Sequence, residues 1–284
     1  MTAPREAAAR AGRGEGETLR IGIIGGGFMG EAFLRGLLRS GVAKPNDIAV
    51  AEVVEARRVA LAEHGARVTD DAESAAIGAE VVLLAVKPQD IPNLAVMLQG
   101  NLPKDAVLIS IAAGVRLEDV RRYSGHRACV RVMPNLPAAV GQGAAVYYAA
   151  PEVTDRQRRL VETVLGAVAQ AIVEVHDDDA VDLATAVHGS GPAYVYLFIE
   201  SMIDAAVRLG MTRPDAQRLV LATVAGSARY AIESDQHPAA LRNAVTSPGG
   251  TTAAALAELE AAGFRTAIDS AIEAAYERAR ELGE

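Results

Sequence analysis

Hydrophobic and polar positions follow two different patterns along this 284-residue chain. From residue 19 to about residue 176, short runs of Val, Ile, Leu and Ala alternate with segments whose apolar residues recur at helical spacing. The runs that predict strands lie at residues 19–24, 48–51, 81–86, 107–111, 128–132, 144–148 and 171–175. Because strands alternate with helices, the pattern predicts an α/β fold with a doubly wound sheet of the Rossmann type.

After residue 176 the pattern changes to long alanine-rich helical segments with no convincing strand. We therefore predict a sheet domain at residues 18–176 and an all-α domain at residues 177–284. Helices with so few aromatic residues make a thin core alone, and their small residues allow close contact with a second copy. We expect the all-α domain to form a dimer interface. Residues 1–17 are rich in Ala, Gly, Arg and Glu without periodicity, which predicts a disordered tail.

A glycine-rich turn follows the first predicted strand. Gly25, Gly27 and Gly30 have the spacing G-x-G-x-x-G, with Phe28 and Met29 between the last two, and a helical pattern begins directly afterwards. In dinucleotide-binding folds the first glycine makes a tight turn, the second admits the pyrophosphate and the third lets the helix pack on the strand. The alternative is a plain strand-to-helix turn, which the strand before and the helix after it disfavour.

The next predicted strand ends at an acidic residue, Glu52, about twenty residues beyond the last glycine. An acid at this place accepts hydrogen bonds from the adenosine ribose, and it repels a 2′-phosphate. Glu52 therefore favours NADH over NADPH. Arg57 and Arg58 follow about one helical turn later and would reach such a phosphate, so the sequence leaves both dinucleotides open.

Three further strand ends carry polar or conformationally special residues, namely Ala85, Val86, Lys87 and Pro88 after one strand, Ala112, Ala113 and Gly114 after another, and Asn135 after a third. Ligands of open α/β sheets bind at the carboxyl ends of the strands. Each segment alone is equally typical of an ordinary turn. Together they predict the rim of the dinucleotide site.

A second glycine-rich segment, residues 246–252, lies between two helical patterns near the end of the chain. It contains Ser247, Gly249, Gly250, Thr251 and Thr252, and an apolar helical run follows it. Glycines let main-chain N–H groups turn inward, and the first N–H groups of the helix point at the same place. The segment predicts a cradle for a small carboxylate. The alternative is a helix cap made by Ser or Thr.

The composition excludes several classes of function. A formal net charge of −8 with no long basic run argues against a nucleic acid or an anionic membrane as partner. No apolar stretch is long enough to span a bilayer. Cys129 is the one cysteine, so no internal disulfide forms, and we expect a buried thiol in a cytoplasmic protein.

Three consecutive acids, at residues 177–179, follow His176 and raise the question of a metal site. Acids in the first turn of a helix are favoured by its dipole, whereas hard metals need ligands that converge from several directions. We predict no metal.

Five segments, in this order and at these separations, resemble the pyrroline-5-carboxylate reductases: residues 25–30 (Gly-Gly-Gly-Phe-Met-Gly), 85–88 (Ala-Val-Lys-Pro), 133–135 (Met-Pro-Asn), 189–194 (Gly-Ser-Gly-Pro-Ala-Tyr) and 247–252 (Ser-Pro-Gly-Gly-Thr-Thr). The resemblance implies NAD(P)H-dependent reduction of the cyclic imine L-1-pyrroline-5-carboxylate to L-proline. It also implies a Rossmann domain followed by a helical dimerisation domain, and homodimers that assemble further, with a decamer as one such assembly.

Carried over residue by residue, the resemblance implies cofactor contacts at residues 25–30, 85–88 and 112–114. It implies substrate contacts at Asp178, Thr251 and Thr252, with the Thr252 hydroxyl near the ring nitrogen. The chain also departs from the family pattern. His188 stands where a small residue usually precedes Gly-Ser-Gly-Pro, and Ala244 stands where some relatives have an Asn that contacts the nicotinamide.

Two other functions compete with an imine reductase. A β-hydroxyacid dehydrogenase has a similar pair of domains but needs a lysine base on its helical domain. The lysines here are Lys44, Lys87 and Lys104, all of which precede the predicted helical domain, so such an enzyme would lack its base. A non-catalytic nucleotide sensor would not need the carboxylate cradle.

Residues 189–192 interrupt a helical pattern, and a kink that allows close helix packing is a better interpretation of them than a catalytic role.

Overall fold

The computed structural model describes residues 19–283, and the predicted tail at residues 1–17 lies outside this range. Its sheet has eight strands: β1 Ile21–Ile24, β2 Ile48–Ala51, β3 Arg67–Thr69, β4 Val81–Leu84, β5 Val107–Ser110, β6 Cys129–Pro134, β7 Gly143–Ala149 and β8 Ala169–Val175. The strand order is β3-β2-β1-β4-β5-β6-β7-β8. Neighbouring strands are parallel except for β6 and β7, which are antiparallel. The predicted α/β fold is confirmed.

Helices connect the strands of the sheet: α1 Phe28–Arg39, α2 Glu55–Ala62, α3 Ala72–Ala76, α4 Ile91–Met97, α5 Leu117–Ser124 and α6 Asp155–Gly166. Short 3-10 turns lie at Pro45–Asp47, Pro88–Asp90 and Leu136–Val140. After the sheet come α7 Asp178–Ala184, a π-turn at Thr185–Gly189, and then α8 Gly191–Arg208, α9 Arg213–Glu233, α10 Pro238–Ala244, α11 Thr251–Ala261 and α12 Phe264–Glu281.

The strands β1, β2, β4 and β5 are buried along their whole length. Continuous apolar runs such as Val81–Leu84 are typical of parallel strands that helices cover on both faces, because such strands have no polar side to expose. Phe33 and Leu37 of α1 are fully buried within the same core. The strand β3 was not predicted, because its three residues are exposed or half-buried and carry no apolar run.

The described residues form two compact units. The first extends to Gly189 and includes the chain end from Ala275, and the second comprises Ser190–Ala274. The division lies beyond the predicted boundary at residue 177 because ion pairs between Arg131 of β6 and two aspartates of α7 attach that helix to the sheet. The predicted interruption at residues 189–192 is confirmed, since the π-turn ends at Gly189 and α8 starts at Gly191.

The second unit is helical and exposes much of its apolar surface. None of the residues of α8, α10 or α11 is buried. Leu197 of α8 and Leu219 of α9 are 64% and 57% exposed. Across the described part of the chain, no helix combines the length and the apolar character needed to cross a membrane.

Candidate functional site

The parallel strands of the first unit end at a common edge. Ile24 of β1 is in register with Ala51 of β2 and Leu84 of β4, and Leu84 is in register with Ser110 of β5. Ser110 is in turn aligned with Arg131 of β6. The segments that follow these strands therefore lie side by side, at the edge where α/β sheets bind their ligands.

The glycine-rich loop is confined by its neighbours at two points. Gly25 has φ +105, a conformation that side chains rarely adopt, and a Cβ placed there would lie 2.6 Å from the carbonyl oxygen of Ala85. A Cβ on Gly30 would collide with the carbonyl oxygen of Gly25. Gly27 differs, because a Cβ at this position meets no atom within 4 Å. Two glycines thus allow the loop to fold, and the third borders open space.

Gly27 is also the N-cap of α1, and no side chain caps the helix there. The first N–H groups of a helix need acceptors and carry a positive partial charge, so an uncapped start is suited to a phosphate. Phe28 is 57% exposed beside this start, whereas Met29 is partly buried against the core. Of these two predicted cofactor residues, Phe28 alone offers an open side chain.

Glu52 is bound to the main chain on both of its carboxylate oxygens. Oε2 accepts the N–H of Gly26 at 2.9 Å, and Oε1 accepts the N–H of Val54 at 2.8 Å. The carboxylate therefore joins the end of β2 to the glycine-rich loop. Its position at the strand end is the one expected of a residue that accepts hydrogen bonds from ribose hydroxyls.

The two neighbouring arginines are engaged with the same segment. Arg57 Nη2 donates to the carbonyl oxygen of Gly26 at 2.6 Å and to Glu31 at 2.8 Å. Arg58 Nη1 donates to the carbonyl oxygens of Glu52 and Val53, at 3.0 and 2.8 Å. Each arginine makes these contacts from one terminal nitrogen, so the contacts hold the guanidinium in place but do not use its other N–H groups.

The other predicted rim residues differ in what they expose. Ala85 and Val86 are half-buried, whereas Lys87, Pro88 and Ala113 are exposed. Ala112 is buried, so any contact with a dinucleotide would have to come from its main chain.

Gly114 has φ +74, and a Cβ there would lie 2.8 Å from the carbonyl oxygen of Leu282. The end of the chain therefore packs closely on this turn.

The side-chain amide of Asn135 forms hydrogen bonds within the protein. Its Nδ2 donates to the carbonyl oxygen of His188 at 3.1 Å, and its Oδ1 accepts the N–H of Ala144 at 2.9 Å. The predicted cofactor contact of Asn135 would therefore fall on its main chain.

A buried ion-pair cluster joins α7 to β6. Arg131 donates from Nη1 to Asp178 Oδ1 at 2.6 Å and from Nη2 to Asp182 Oδ1. Arg131 and Asp182 are 3% and 2% exposed, and Asp178 is 14% exposed. Asp178 Oδ1 also accepts the N–H of Leu117 at 3.1 Å. Arg131 was not among the predicted site residues. The signal that could have identified it is a charged residue within the otherwise apolar run of β6.

The three consecutive acids have separate roles within the chain. Asp177 caps α7 by accepting the N–H of Ala180 at 2.7 Å, Asp178 pairs with Arg131, and Asp179 pairs with Arg116 at 3.3 Å. Over residues 19–283, no cluster of His, Cys, Asp or Glu side chains could hold a metal ion.

The segment 246–252 forms an uncapped helix start in the second unit. Gly249 has φ +71, and Gly250 is the N-cap of α11 with no side-chain hydrogen bond to the helix. The Thr246 hydroxyl donates back to the carbonyl oxygen of Arg242 at 2.7 Å. Thr251 and Thr252 are the first two residues of this helix, so their main-chain N–H groups lie at its start, an arrangement suited to a small anion.

Comparison with known proteins identifies both parts of the chain. Residues 178–282 match the family model of pyrroline-5-carboxylate reductase dimerisation. Residues 20–114 match that of coenzyme F420-dependent NADP oxidoreductases.

Curated relatives and solved structures extend the match to nearly the whole chain. The pyrroline-5-carboxylate reductases of Synechocystis and of pea are 43% and 39% identical, over 94% of this chain and 99% and 97% of theirs. The solved structure of the Coxiella burnetii pyrroline-5-carboxylate reductase superposes with a TM-score of 0.87 at 36% identity, covering 94% of this chain and all of that one. The Plasmodium falciparum pyrroline carboxylate reductase with NADP bound gives 0.85 at 32% identity, covering 94% and 99%. The chain belongs to the pyrroline-5-carboxylate reductase family.

Proposed function

We propose that the sheet edge binds NAD(P)H and that the segment 246–252 binds the carboxylate of L-1-pyrroline-5-carboxylate, which this enzyme reduces to L-proline. The observation that carries the proposal is a pair of uncapped helix starts in one chain, at Gly27 and at Gly250. Each is suited to an anionic group, the pyrophosphate of a dinucleotide at the first and a small carboxylate at the second.

The residues of the sheet edge fit a dinucleotide. Gly27 borders open space where a pyrophosphate would approach the main chain, and Glu52 ends the neighbouring strand where an adenosine ribose would lie. Residues 85–88, 112–114 and 133–135 would line the remainder of the molecule. The bound dinucleotide would supply the hydride, and the chain would supply binding and orientation.

The choice between the two dinucleotides rests on Glu52 and the arginines beside it. The Plasmodium falciparum relative was solved with NADP, the dinucleotide that carries a 2′-phosphate. In this chain Glu52 would place a negative charge near a 2′-phosphate, while Arg57 and Arg58 are bonded to main-chain carbonyls. We propose that NADH is accepted at least as well as NADPH.

The substrate needs orientation more than a strong base. A protonated cyclic imine is already a good hydride acceptor at its C=N carbon, so the protein has to hold that carbon in place. Main-chain N–H groups at Thr251 and Thr252 would bind the carboxylate, with Ser247 and Gly249 shaping the turn, in which the Gly250 N–H donates to the carbonyl oxygen of Ser247 at 3.0 Å. The Thr252 hydroxyl would contact the ring nitrogen, where the reaction changes the charge.

Asp178 was predicted to contact the substrate, but its carboxylate is already engaged within the protein, because its Oδ1 accepts two hydrogen bonds. We propose that its main role is to hold Arg131.

The experiment that tests the function is steady-state oxidation of NADH and NADPH with L-1-pyrroline-5-carboxylate. Piperideine-6-carboxylate and β-hydroxy acids serve as comparison substrates. We expect reduction of the five-membered imine with product L-proline. Turnover of a β-hydroxy acid with no imine reduction would support a hydroxyacid dehydrogenase instead, and binding of dinucleotide without turnover of any substrate would support a sensor.

The assembly follows from the exposed faces of the second unit. The match to a dimerisation family and the exposed Leu197 and Leu219 support a homodimer. We propose that dimers assemble further, with a decamer as the form to test. Size-exclusion chromatography with light scattering of Leu197→Glu should show a shift toward monomer, and an active wild-type monomer would contradict the proposal.

Cys129 is buried and forms no disulfide, which fits a reducing compartment, so a cytoplasmic location stays a prediction.

A further inference from the structure

His188 lies in the π-turn Thr185–Gly189, within the first unit and next to the end of β6. Its ring contacts two main-chain carbonyl oxygens. Nδ1 lies 2.5 Å from the oxygen of Ala184, and Nε2 lies 2.9 Å from the oxygen of Met133. The first contact stays within the local helical turn, whereas the second joins the turn to the sheet edge.

Two carbonyl oxygens require two donors. A neutral imidazole has one N–H and one lone pair, so it can donate to only one of these carbonyls, and its other nitrogen would face an oxygen across two lone pairs. The doubly protonated ring donates at both nitrogens. Either protonation form of the ring can donate from Nε2 to Met133 and so join the π-turn to the end of β6.

The main chain of His188 adds a third contact to the same segment. Its carbonyl oxygen accepts Asn135 Nδ2 at 3.1 Å, while Asn135 Oδ1 accepts the N–H of Ala144 at the start of β7. The segment 133–135 is thus held at Met133 by the ring and at Asn135 by the backbone of one residue. Gly189 packs on the same methionine, since a Cβ placed there would lie 3.1 Å from Met133 Cε.

We propose that His188 is a positioning residue for the dinucleotide, and that its ring and its main-chain carbonyl together fix the segment 133–135 at the cofactor edge. The inference rests on the dinucleotide site proposed above. It concerns a residue at which this chain departs from the small residue usual in the family pattern. Loss of the ring removes the bond to Met133, so the segment is then held less firmly.

The charged groups of the elements packed against this turn are engaged with other partners. On β6 the charged side chain is Arg131, which is bonded to Asp178 and Asp182 of α7. The remaining acid of α7, Asp179, pairs with Arg116. Of these side chains, His188 is the one that contacts the segment 133–135.

The test compares His188→Ala with His176→Ala, and adds His188→Gln as a rescue variant. His176 is exposed and outside the proposed site, so it is a matched control for the loss of an imidazole. Alanine removes the ring bond to Met133, whereas the amide of Gln can donate to that carbonyl. NADH is the probe, because its binding involves no 2′-phosphate.

The measured quantity is the Kd of NADH. We expect His176→Ala to bind like wild type, His188→Ala to bind about tenfold more weakly, and His188→Gln to recover most of the lost affinity. A Kd for His188→Ala equal to that of the control would overturn the inference.

Two further measurements keep the result interpretable. If His188→Ala does not fold, the ¹⁵N resonances of the His188 ring in wild type decide the matter, since the inference requires Nε2 to carry the proton donated to Met133. A bare Nε2 would overturn it. Gly27→Val tests the site itself: if this variant binds NADH as well as wild type does, the proposed dinucleotide site fails, whereas an unchanged Kd for His188→Ala alone leaves that site in place.

Discussion

Glu52 and Gly26 are separated by twenty-six residues in sequence, yet the carboxylate of Glu52 accepts the main-chain N–H of Gly26 at 2.9 Å. This bond joins the end of β2 to the loop that we propose for the pyrophosphate. One side chain thereby influences both the shape of the loop and the charge near the adenosine ribose.

The first prediction concerns the dinucleotide preference. We expect Glu52→Gln to shift the ratio of kcat/KM toward NADPH, because the negative charge that repels a 2′-phosphate is lost. Wild type should use NADH at least as well as NADPH. The matched control is Glu63→Gln, which removes a charge from an exposed position outside the proposed site. A wild-type preference of about tenfold or more for NADPH, about 1.4 kcal/mol, would contradict the assignment.

The second prediction separates two glycines of the same loop. Gly27→Ala should fold with nearly unchanged stability, because its Cβ meets open space, but it should bind dinucleotide more weakly because the methyl group occupies the approach to the main chain. Gly30→Ala should unfold at a lower denaturant concentration, since its Cβ collides with the carbonyl oxygen of Gly25. Chemical unfolding and NADH titration of both variants measure the two effects. Equal stability losses would contradict the geometry of this loop.

The third prediction concerns the role of Asp178. Asp178→Asn should lower the free energy of unfolding by roughly 1–3 kcal/mol, because it weakens the partner of the buried Arg131. The KM for L-1-pyrroline-5-carboxylate should change little. Asp179→Asn, whose carboxylate is half exposed, is the control. A large rise in KM with unchanged stability would instead support direct contact between Asp178 and the substrate.

The fourth prediction concerns alkaline pH. Burial raises the pKa of the Cys129 thiol from 9.0 to about 12, and burial together with Glu162 raises the pKa of Tyr147 from 10.0 to about 12. Between the ordinary and the raised pKa values the folded protein binds more protons than the unfolded chain, so stability falls as the pH rises from about 9 toward 12.

Urea unfolding across this range measures the alkaline effect, and Cys129→Val should flatten the slope. Native protein at neutral pH should also resist thiol-modifying reagents, because the thiol is buried and protonated. Rapid modification of the folded protein would contradict the burial of this side chain.

Sequence reasoning predicted most of the fold, for a physical reason. Parallel strands such as Ile21–Ile24 are buried on both faces, so each appears as a continuous apolar run, and a glycine spacing such as that of Gly25 and Gly30 reflects steric limits that few other sequences satisfy. The strand Arg67–Thr69 was not predicted, because it lies at the edge of the sheet and its side chains are exposed or half-buried.

The missed parts of the site depend on contacts between distant segments. Arg131 contacts Asp178 and Asp182, which are 47 and 51 residues away in sequence, and His188 contacts the carbonyl of Met133, which is 55 residues away. Patterns report local conformation and burial, whereas the partners of a buried polar group follow from the tertiary structure.

We propose that the segment 246–252 holds the imine substrate and that Thr252 contacts its nitrogen. This is tested by the steady-state rate of NADH oxidation with L-1-pyrroline-5-carboxylate by wild type and by Thr252→Ala, together with the Kd of NADH for each. A positioned donor of this kind contributes on the order of 10²-fold in rate. We expect a loss of that size in kcat with an almost unchanged Kd for NADH, and wild-type turnover by Thr252→Ala would contradict the assignment.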